Sequence, residues 1–380
     1  MAFSFFKRSR SKALNSVLLR YLTYNFLSKV IGVAMILAAL MEILTLLEAT
    51  GQIIHRHLGV KGVLLYASLR FPLLLGFSLP ISILIGALIT FSRLTINNEI
   101  AILRGTGLST LQLVKLLLPA TLGLGILCAL INDQITPRAE LALATWWNKT
   151  DLQPEKAKPF WFRSKNRLVK IGFIQNGGKT INNISIYNRD ENKTLTQIIH
   201  AKTALFEQNH WILNKTHAVD ITVDAVTESK DTADTITLLP SPPPLQRVDL
   251  GISPQEMVFL SMDHPPYSIR NMLRAISGNL PSRLPESYFF TSLLDRLLLP
   301  ISFLVMLLLA LPVIYIPPRT GTRSWLPVWC LGGGLLFIVF QGILRALGAA
   351  GTLPSFLAII PGIIIFSLAI TTILLRIEEK

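Results

Sequence analysis

Long apolar runs separated by short polar breaks occupy both ends of this chain, and the middle abandons that pattern. Runs at about Leu22–Leu47, Phe71–Phe91 and Leu113–Ile135 come first; runs at about Phe290–Ile316, Trp325–Leu347 and Phe356–Leu375 come last. Each is close to the roughly 20 residues a helix needs to cross a bilayer core. The pattern predicts six transmembrane helices. Pro72, Pro80 and Pro119 fall inside these runs, where neighbouring groups can satisfy the carbonyls a proline leaves free. Gly76, Gly86, Gly123, Gly125 and the Gly332-Gly333-Gly334 run offer close helix contacts.

Between 137 and 285 the segments shorten and fill with Ile, Val, Thr and Phe. Arg167–Ile174, Asn183–Tyr187, Leu195–Phe206, Trp211–Leu213 and Ala218–Val223 read as strands, with Asn176-Gly-Gly178 and 188–192 as turns. Several short strands at this spacing predict an all-β sandwich or jellyroll-like domain inserted between helices three and four. Ser241–Pro244 is a stiff connector, and Pro254–Glu256 and Ser268–Ser277 read as helical turns leading back to the membrane. The expected division is 1–136 with helices one to three, 137–285 as the β domain, and 286–380 with helices four to six.

Composition agrees with a membrane protein. The chain is 51% hydrophobic and 15% charged, against about 25% charged in soluble domains. The net charge of +14 does not point to nucleic acid, because much of it flanks the apolar runs. Lys7, Arg8, Arg10, Lys12 and Arg20 precede the first run without an acidic residue among them. Cytoplasmic segments favour such residues. The turn after helix two, the turn 317–324 and Arg376–Lys380 also carry Lys or Arg. Both termini are therefore expected in the cytoplasm and the β domain outside it. The first apolar run, about 26 residues, exceeds the roughly 7–15 of a signal-peptide core, so it is expected to stay as a helix. Cys128 and Cys330 lie in apolar runs and behave as small hydrophobes.

Catalytic patterns are missing. The nearest string to a nucleotide loop, Phe173–Thr180, has Phe173 where the first glycine is required, and reads as a hairpin. The histidines at 55, 57, 200, 210, 217 and 264 match no tight zinc spacing. The expectation is a protein that is not an enzyme and binds no cofactor of its own.

Some charges stand out. Glu42 and Glu48 lie near the far end of helix one, at an interface or lining a bundle cavity. His55-Arg56-His57 and Lys61 form a basic loop that meets anionic headgroups or water. Lys149–Lys170 holds seven Lys/Arg against two acidic residues and has the same two readings.

The stretch Arg93–Leu116 lies between helices two and three and reads as a short amphipathic helix, about 93–112. Ile96, Ile100, Leu103 and Leu108 make its apolar side. Glu99 opens it, favoured by the helix dipole, Arg104 follows, and Gly105 and Gly107 end it. Such an element either caps two membrane helices or forms a knob for a groove on a soluble ATPase.

The order of three helices, a β domain and three helices, with Asn98-Glu99-Ile100-Ala101-Ile102-Leu103-Arg104-Gly105-Thr106-Gly107-Leu108, resembles the lipopolysaccharide export permeases LptF and LptG, the YjgP/YjgQ family. Arg20-Tyr21, Pro137, Asn183-Ile-Ser-Ile-Tyr187, Pro300 and Arg319 also fall where that family has similar residues. Ile184–Tyr187 and Gly351–Pro354 lean towards LptG and Pro318–Gly321 towards LptF; LptG-like is the favoured side. The resemblance implies a bacterial inner-membrane permease of an ABC transporter that extracts lipopolysaccharide. It implies a paralogous LptF-type partner, an LptB-type ATPase dimer that uses the ATP and receives Glu99, and LptC- and LptA-type periplasmic proteins. Family members of the LptG type often carry lysines near the outer end of helix one. Here Glu42 and Glu48 stand there, so basic contact with lipid falls to Arg56, Lys61 or Arg70. Two other classes fit the residues: a membrane-anchored scaffold or sensor acting through its β domain, and a permease of another ABC exporter with protein or drug cargo.

Overall fold

The computed structural model describes residues 2–105, 110–152, 157–164, 167–190, 194–220, 245–248, 250–262, 265–278, 280–315 and 325–378. Ten α-helices and six strands lie in them: α1 Ala2–His55, α2 Gly59–Ile96, α3 Glu99–Gly105, α4 Thr110–Leu130, α5 Thr136–Lys149, β1 Phe160–Ser164, β2 Arg167–Gln175, β3 Thr180–Arg189, β4 Leu195–Glu207, β5 His210–Asp220, β6 Leu245–Val248, α6 Pro254–Ser261, α7 Ile269–Ile276, α8 Glu286–Ala310, α9 Leu326–Ala349 and α10 Ser355–Glu378. Six helical stretches are long and apolar enough to cross a membrane: Val17–His55, Gly59–Ile96, Gln112–Lys149, Glu286–Tyr315, Leu326–Ala349 and Ser355–Arg376. All six runs expected from the sequence are helical.

The first three helices are longer than their apolar runs. Val17–His55 has 39 residues, about 58 Å at ~1.5 Å per residue, roughly twice a ~30 Å bilayer core. The basic loop expected over 55–61 shrinks accordingly. His55 ends α1, and Lys61 sits in the first turn of α2. The third span does not stop at Ile135. A π-turn, Ile131–Ile135, joins α4 to α5, and the helix continues to Lys149. Pro137 has no N–H for the ladder, and the π-turn lies immediately before it, so the helix changes its hydrogen bonding there rather than ending.

The chain divides into two units: Met1–Ala49, Arg70–Ile135 and Phe290–Lys380 in the first, Thr50–Leu69 and Thr136–Phe289 in the second. In the first, Phe26, Ile83, Leu84, Phe91, Leu117, Phe303 and Phe337 belong to one apolar core. Glycines set its closest approaches. A Cβ at Gly86 would lie 2.9 Å from the Val30 backbone, and one at Gly125 would lie 2.6 Å from Pro300 Cα. Only hydrogen fits at either place, which is how small residues let membrane helices touch. Buried Gln341 donates from Nε2 to the Ile359 carbonyl at 3.1 Å, tying α9 to α10.

The second unit holds one antiparallel sheet with its six strands in sequence order. The expected β domain is present. Its described strands form a meander, the simplest outcome for β1 to β5, which follow one another closely along the chain. Trp211–Leu213 and Ala218–Val223, expected as separate strands, are parts of β5 as far as Asp220; 221–223 and the connector 241–244 lie outside the described residues. Alternate positions of each strand bury Phe160, Phe162, Val169, Ile171, Ile184, Ile186, Ile199 and Leu213 against α6 residues Met257, Val258 and Leu260. Ser253 and Glu256 form a capping box that starts α6, a pairing that satisfies two otherwise unpaired backbone N–H groups.

The turn at Asn176–Gly178 links β2 to β3, as its sequence predicts. Gly178 has φ +86°, and a Cβ there would lie 2.2 Å from the Pro254 carbonyl oxygen. Gly178→Ala therefore adds backbone strain and a clash with α6. Each effect costs about 1–3 kcal/mol, so the expected loss is roughly 2–6 kcal/mol. Thermal unfolding of the purified chain measures it, and an unchanged Tm contradicts it.

Candidate functional site

The turn between α2 and α4 is built by two asparagines. The backbone of α2 continues past Arg93 to Ile96, so the expected 93–112 helix is really the end of α2, a turn, and the two-turn α3. Asn98 takes φ +59°, a left-handed conformation that asparagine tolerates better than most residues. The chain reverses there and Glu99 opens α3. Gly107 and Leu108 lie outside the described residues.

Glu99 is held from two directions. Tyr21, near the start of the first apolar run, donates its hydroxyl to Glu99 Oε2 at 3.0 Å, and Asn97 Nδ2 donates to Oε1 at 3.3 Å. The carboxylate thus pins the turn to α1 while staying at the surface. Tyr21, Asn25, Lys29, Thr90, Arg93, Leu94 and Glu99 surround a small hollow beside it. The Arg104 guanidinium lies 4.4 Å from the centre of the Tyr315 ring.

The apolar side of α3 faces the core of its own unit. Ile100 is only 5% exposed, and Leu103 packs against the same core of the first unit. These two residues fasten α3 to its own bundle. The outward surface is Ile96, Asn97, Asn98, Ala101, Ile102, Arg104 and Gly105, with Ile102 66% exposed. Ile102 is the residue that sequence reasoning passed over. Its signal was present: it lies two positions from Ile100 and hence on the opposite side of a helix.

The other candidates do not gather into one site. Both carboxylate oxygens of Glu42 are buried without a hydrogen-bond partner, and Arg70 is the charge that acts on them. Glu48 and Lys61 are exposed. Arg56 is a strut rather than an open contact. Its guanidinium lies 3.3 Å from Asp151 Oδ1 and 3.3 Å from Thr150 Oγ1, donates to the Trp147 carbonyl, and stacks 4.3 Å from the Trp147 ring. Burial lowers its pKa while Asp151 opposes that shift. A cation so engaged fixes the start of the α1–α2 connection to the end of α5, all within the second unit.

A second charged constellation lies inside the spans of the first unit. Arg296 on α8 donates to Asp133 in the π-turn at 3.2 Å, and its neighbour Asp295 accepts from Arg345 on α9 at 2.6 Å. Gln134 also donates to Asp133, at 2.7 Å. Adjacent residues of one helix therefore grip helices on two sides. The adjacent pair Asp295-Arg296 in an apolar run marked one half of this; Asp133 was hidden because it falls at the end of its run.

Known proteins give these features a setting. Residues 20–376 match the family described as lipopolysaccharide export system permease LptF/LptG. The lipopolysaccharide export system permease protein LptG of Escherichia coli strain K12 is 21% identical over 343 residues, 88% of this chain and 90% of that protein. The protein of the same name from Haemophilus influenzae strain Rd is 22% identical over 352 residues, 91% and 94% of the two chains. With a match across nearly its whole length, six membrane spans and a sheet inserted between the third and fourth, the chain belongs to the LptF/LptG family of lipopolysaccharide export system permeases.

Proposed function

We propose that this chain is the LptG-type permease subunit of a bacterial inner-membrane transporter that extracts lipopolysaccharide and passes it to periplasmic carriers. The observation that carries the reading is the family match over 20–376. The energy comes from ATP hydrolysed by a separate LptB-type ATPase dimer, and the partner in the membrane is an LptF-type paralogue. LptC- and LptA-type proteins receive the lipid. Both termini face the cytoplasm, in keeping with the basic residues at the chain ends and at the α2–α4 turn.

In this reading the α2–α4 turn meets the ATPase. Glu99 offers a carboxylate to a cationic partner group, and Arg104 offers a cation. Ile102 and Ala101 supply the apolar contact. Ile100, Leu103 and Tyr21 hold the element in place, and Gly107 follows as part of the same segment. Glu42 and Arg70 are groups on the lipid's route, with Glu48 and Lys61 at its edges.

Reconstitution tests the proposal. Vesicles containing this chain, its paralogue, the ATPase and lipopolysaccharide are expected to deliver lipid to a soluble acceptor only when ATP is supplied. Equal release without ATP, or without this chain, overturns it. A scaffold or sensor would predict release that is indifferent to this chain's membrane helices.

A further inference from the structure

The sheet of the second unit buries one face and leaves the other in solvent, and the exposed face has a consistent chemistry. The strand register arranges its outward positions in cross-strand rows. One is Arg163, Leu168, Tyr187, Ile198 and Val219; the next is Trp161, Lys170, Ser185, His200 and His217. Two more follow beyond an irregularity: Phe173, Asn182, Thr203 and Asn214, then Gln175, Thr180, Leu205, Ile212 and Arg247. These rows hold Arg163, Lys170, His200, His217 and Arg247 and no carboxylate; the next outward pair, His210 and Glu207 at the β4–β5 turn, brings one. Exposed Lys202 and Lys215 lie at the irregularity between the second and third rows. Mixed signs are usual on solvated sheets, so basic rows whose neighbouring carboxylate is confined to the β4–β5 turn invite an anionic partner.

Aromatic groups sit at the centre of the charge. Trp161 is 41% exposed and stacks on Tyr187, ring centres 5.5 Å apart and planes 27° from parallel. Lys170 Nζ lies 5.3 Å from the Trp161 ring centre. His200 is bonded through Nδ1 to Ser185 at 3.0 Å and stands directly opposite His217. Exposed Trp161 and half-buried Tyr187 present π surface to weakly positive C–H groups, and the C–H face of a pyranose ring supplies such groups. The neighbouring ammonium and imidazoles suit phosphate or carboxylate oxygens.

We propose that this outward face binds the anionic saccharide part of the transported lipid. Trp161 and Tyr187 stack on sugar rings, and Lys170, His200 and His217 hold their phosphate or carboxylate groups. The inference rests on lipopolysaccharide being the cargo, and it assigns the headgroup a track separate from the apolar core of the domain.

The test uses the full chain in detergent and, as probe, the phosphorylated oligosaccharide released from lipopolysaccharide by mild acid. Calorimetry is expected to show binding that weakens as salt rises. Trp161→Ala and Lys170→Gln should each weaken it about tenfold, a change equivalent to losing one good contact, whereas Arg274→Gln on α7 leaves it unchanged. Dephosphorylated oligosaccharide should bind several-fold more weakly. If the parent chain ignores the oligosaccharide while ATP-driven lipid release is intact, the saccharide track is wrong and the permease reading stands. If lipid release fails but the oligosaccharide binds as described, the reverse holds. Binding of polyglutamate at equal strength, insensitive to Trp161→Ala, overturns the proposal in favour of an acidic protein partner.

Discussion

Glu99→Ala should lower ATP-driven lipopolysaccharide release by roughly tenfold or more while leaving the chain folded in the membrane. The estimate follows from hydrogen bonds to a charged group, worth about 1.5–3 kcal/mol each, where ~1.4 kcal/mol is a factor of ten. Two kinds of contact are lost together. Internally, Tyr21 and Asn97 lose the acceptor that ties the turn to α1; externally, the proposed ATPase loses its carboxylate. Companion variants separate them. Tyr21→Phe removes only the internal hydroxyl at 3.0 Å and keeps the charge, and because that contact is exposed its effect should stay near ~1.5 kcal/mol, the lower end for a hydrogen bond to a charged group. Glu99→Gln keeps the shape and loses the charge. If Glu99→Gln matches Glu99→Ala and Tyr21→Phe is mild, the charge is read by the partner. If Tyr21→Phe is as damaging as Glu99→Ala, the carboxylate only holds the turn together. Release and ATPase copurification that survive Glu99→Ala together with Arg104→Ala remove the coupling role altogether.

Ile102 refines this picture. The sequence offered Ile96, Ile100, Leu103 and Leu108 as one apolar side. Hydrophobic periodicity identifies which residues share a face, yet it cannot say whether that face meets the chain's own core or another protein. Burial supplies what periodicity lacks: Ile100 and Leu103 are used inside the bundle, and Ile102 is exposed.

Much of the architecture was legible because bilayer physics leaves few options. Runs such as Leu326–Ala349 and Ser355–Glu378 nearly coincide with the apolar stretches that forecast them. The inserted strands were readable from β-branched residues between Asn/Gly turns, and β2 differs from its forecast by one residue. The helix ends were less legible. Residues 136–149 look like the start of a soluble domain because their charges are mixed and Pro137 suggests a stop. They continue the third span because a π-turn accommodates the proline. Arg56 illustrates a different limit. Its position in a basic loop suggested lipid contact, but its partners Trp147, Thr150 and Asp151 lie more than ninety positions away and only folding brings them together.

The charged pairs within the spans carry a large expected stability effect. Arg296→Met takes from the Asp133 carboxylate the guanidinium at 3.2 Å, leaving it the Gln134 amide at 2.7 Å, in a place where both side chains are only 14% exposed. Removing one member of a buried pair costs about 3–5 kcal/mol, because the surviving charge is left desolvated. Arg345→Met should cost far less despite its shorter 2.6 Å contact with Asp295. The arginine is 46% exposed, and Asp295, itself 19% exposed, still has the cation of Arg296 acting on it, so the loss should stay near the ~1 kcal/mol of a half-exposed pair. Distance alone would rank the two pairs the other way. Asp133→Asn combined with Arg296→Met should recover most of the loss, since a buried pair replaced as a whole is often neutral. Unfolding midpoints in detergent for the two single variants and the double one complete a cycle that gives the coupling directly. Additive losses would mean that Asp133 and Arg296 act independently despite their 3.2 Å contact. A strongly coupled cycle makes the pair a clamp between the π-turn and α8, and lipid release by the recovered double variant then tells whether that clamp must be charged to work. If the double variant is stable but releases lipid slowly, the ions have a role in the transport cycle beyond holding the helices together, as ionisable groups inside a membrane often do.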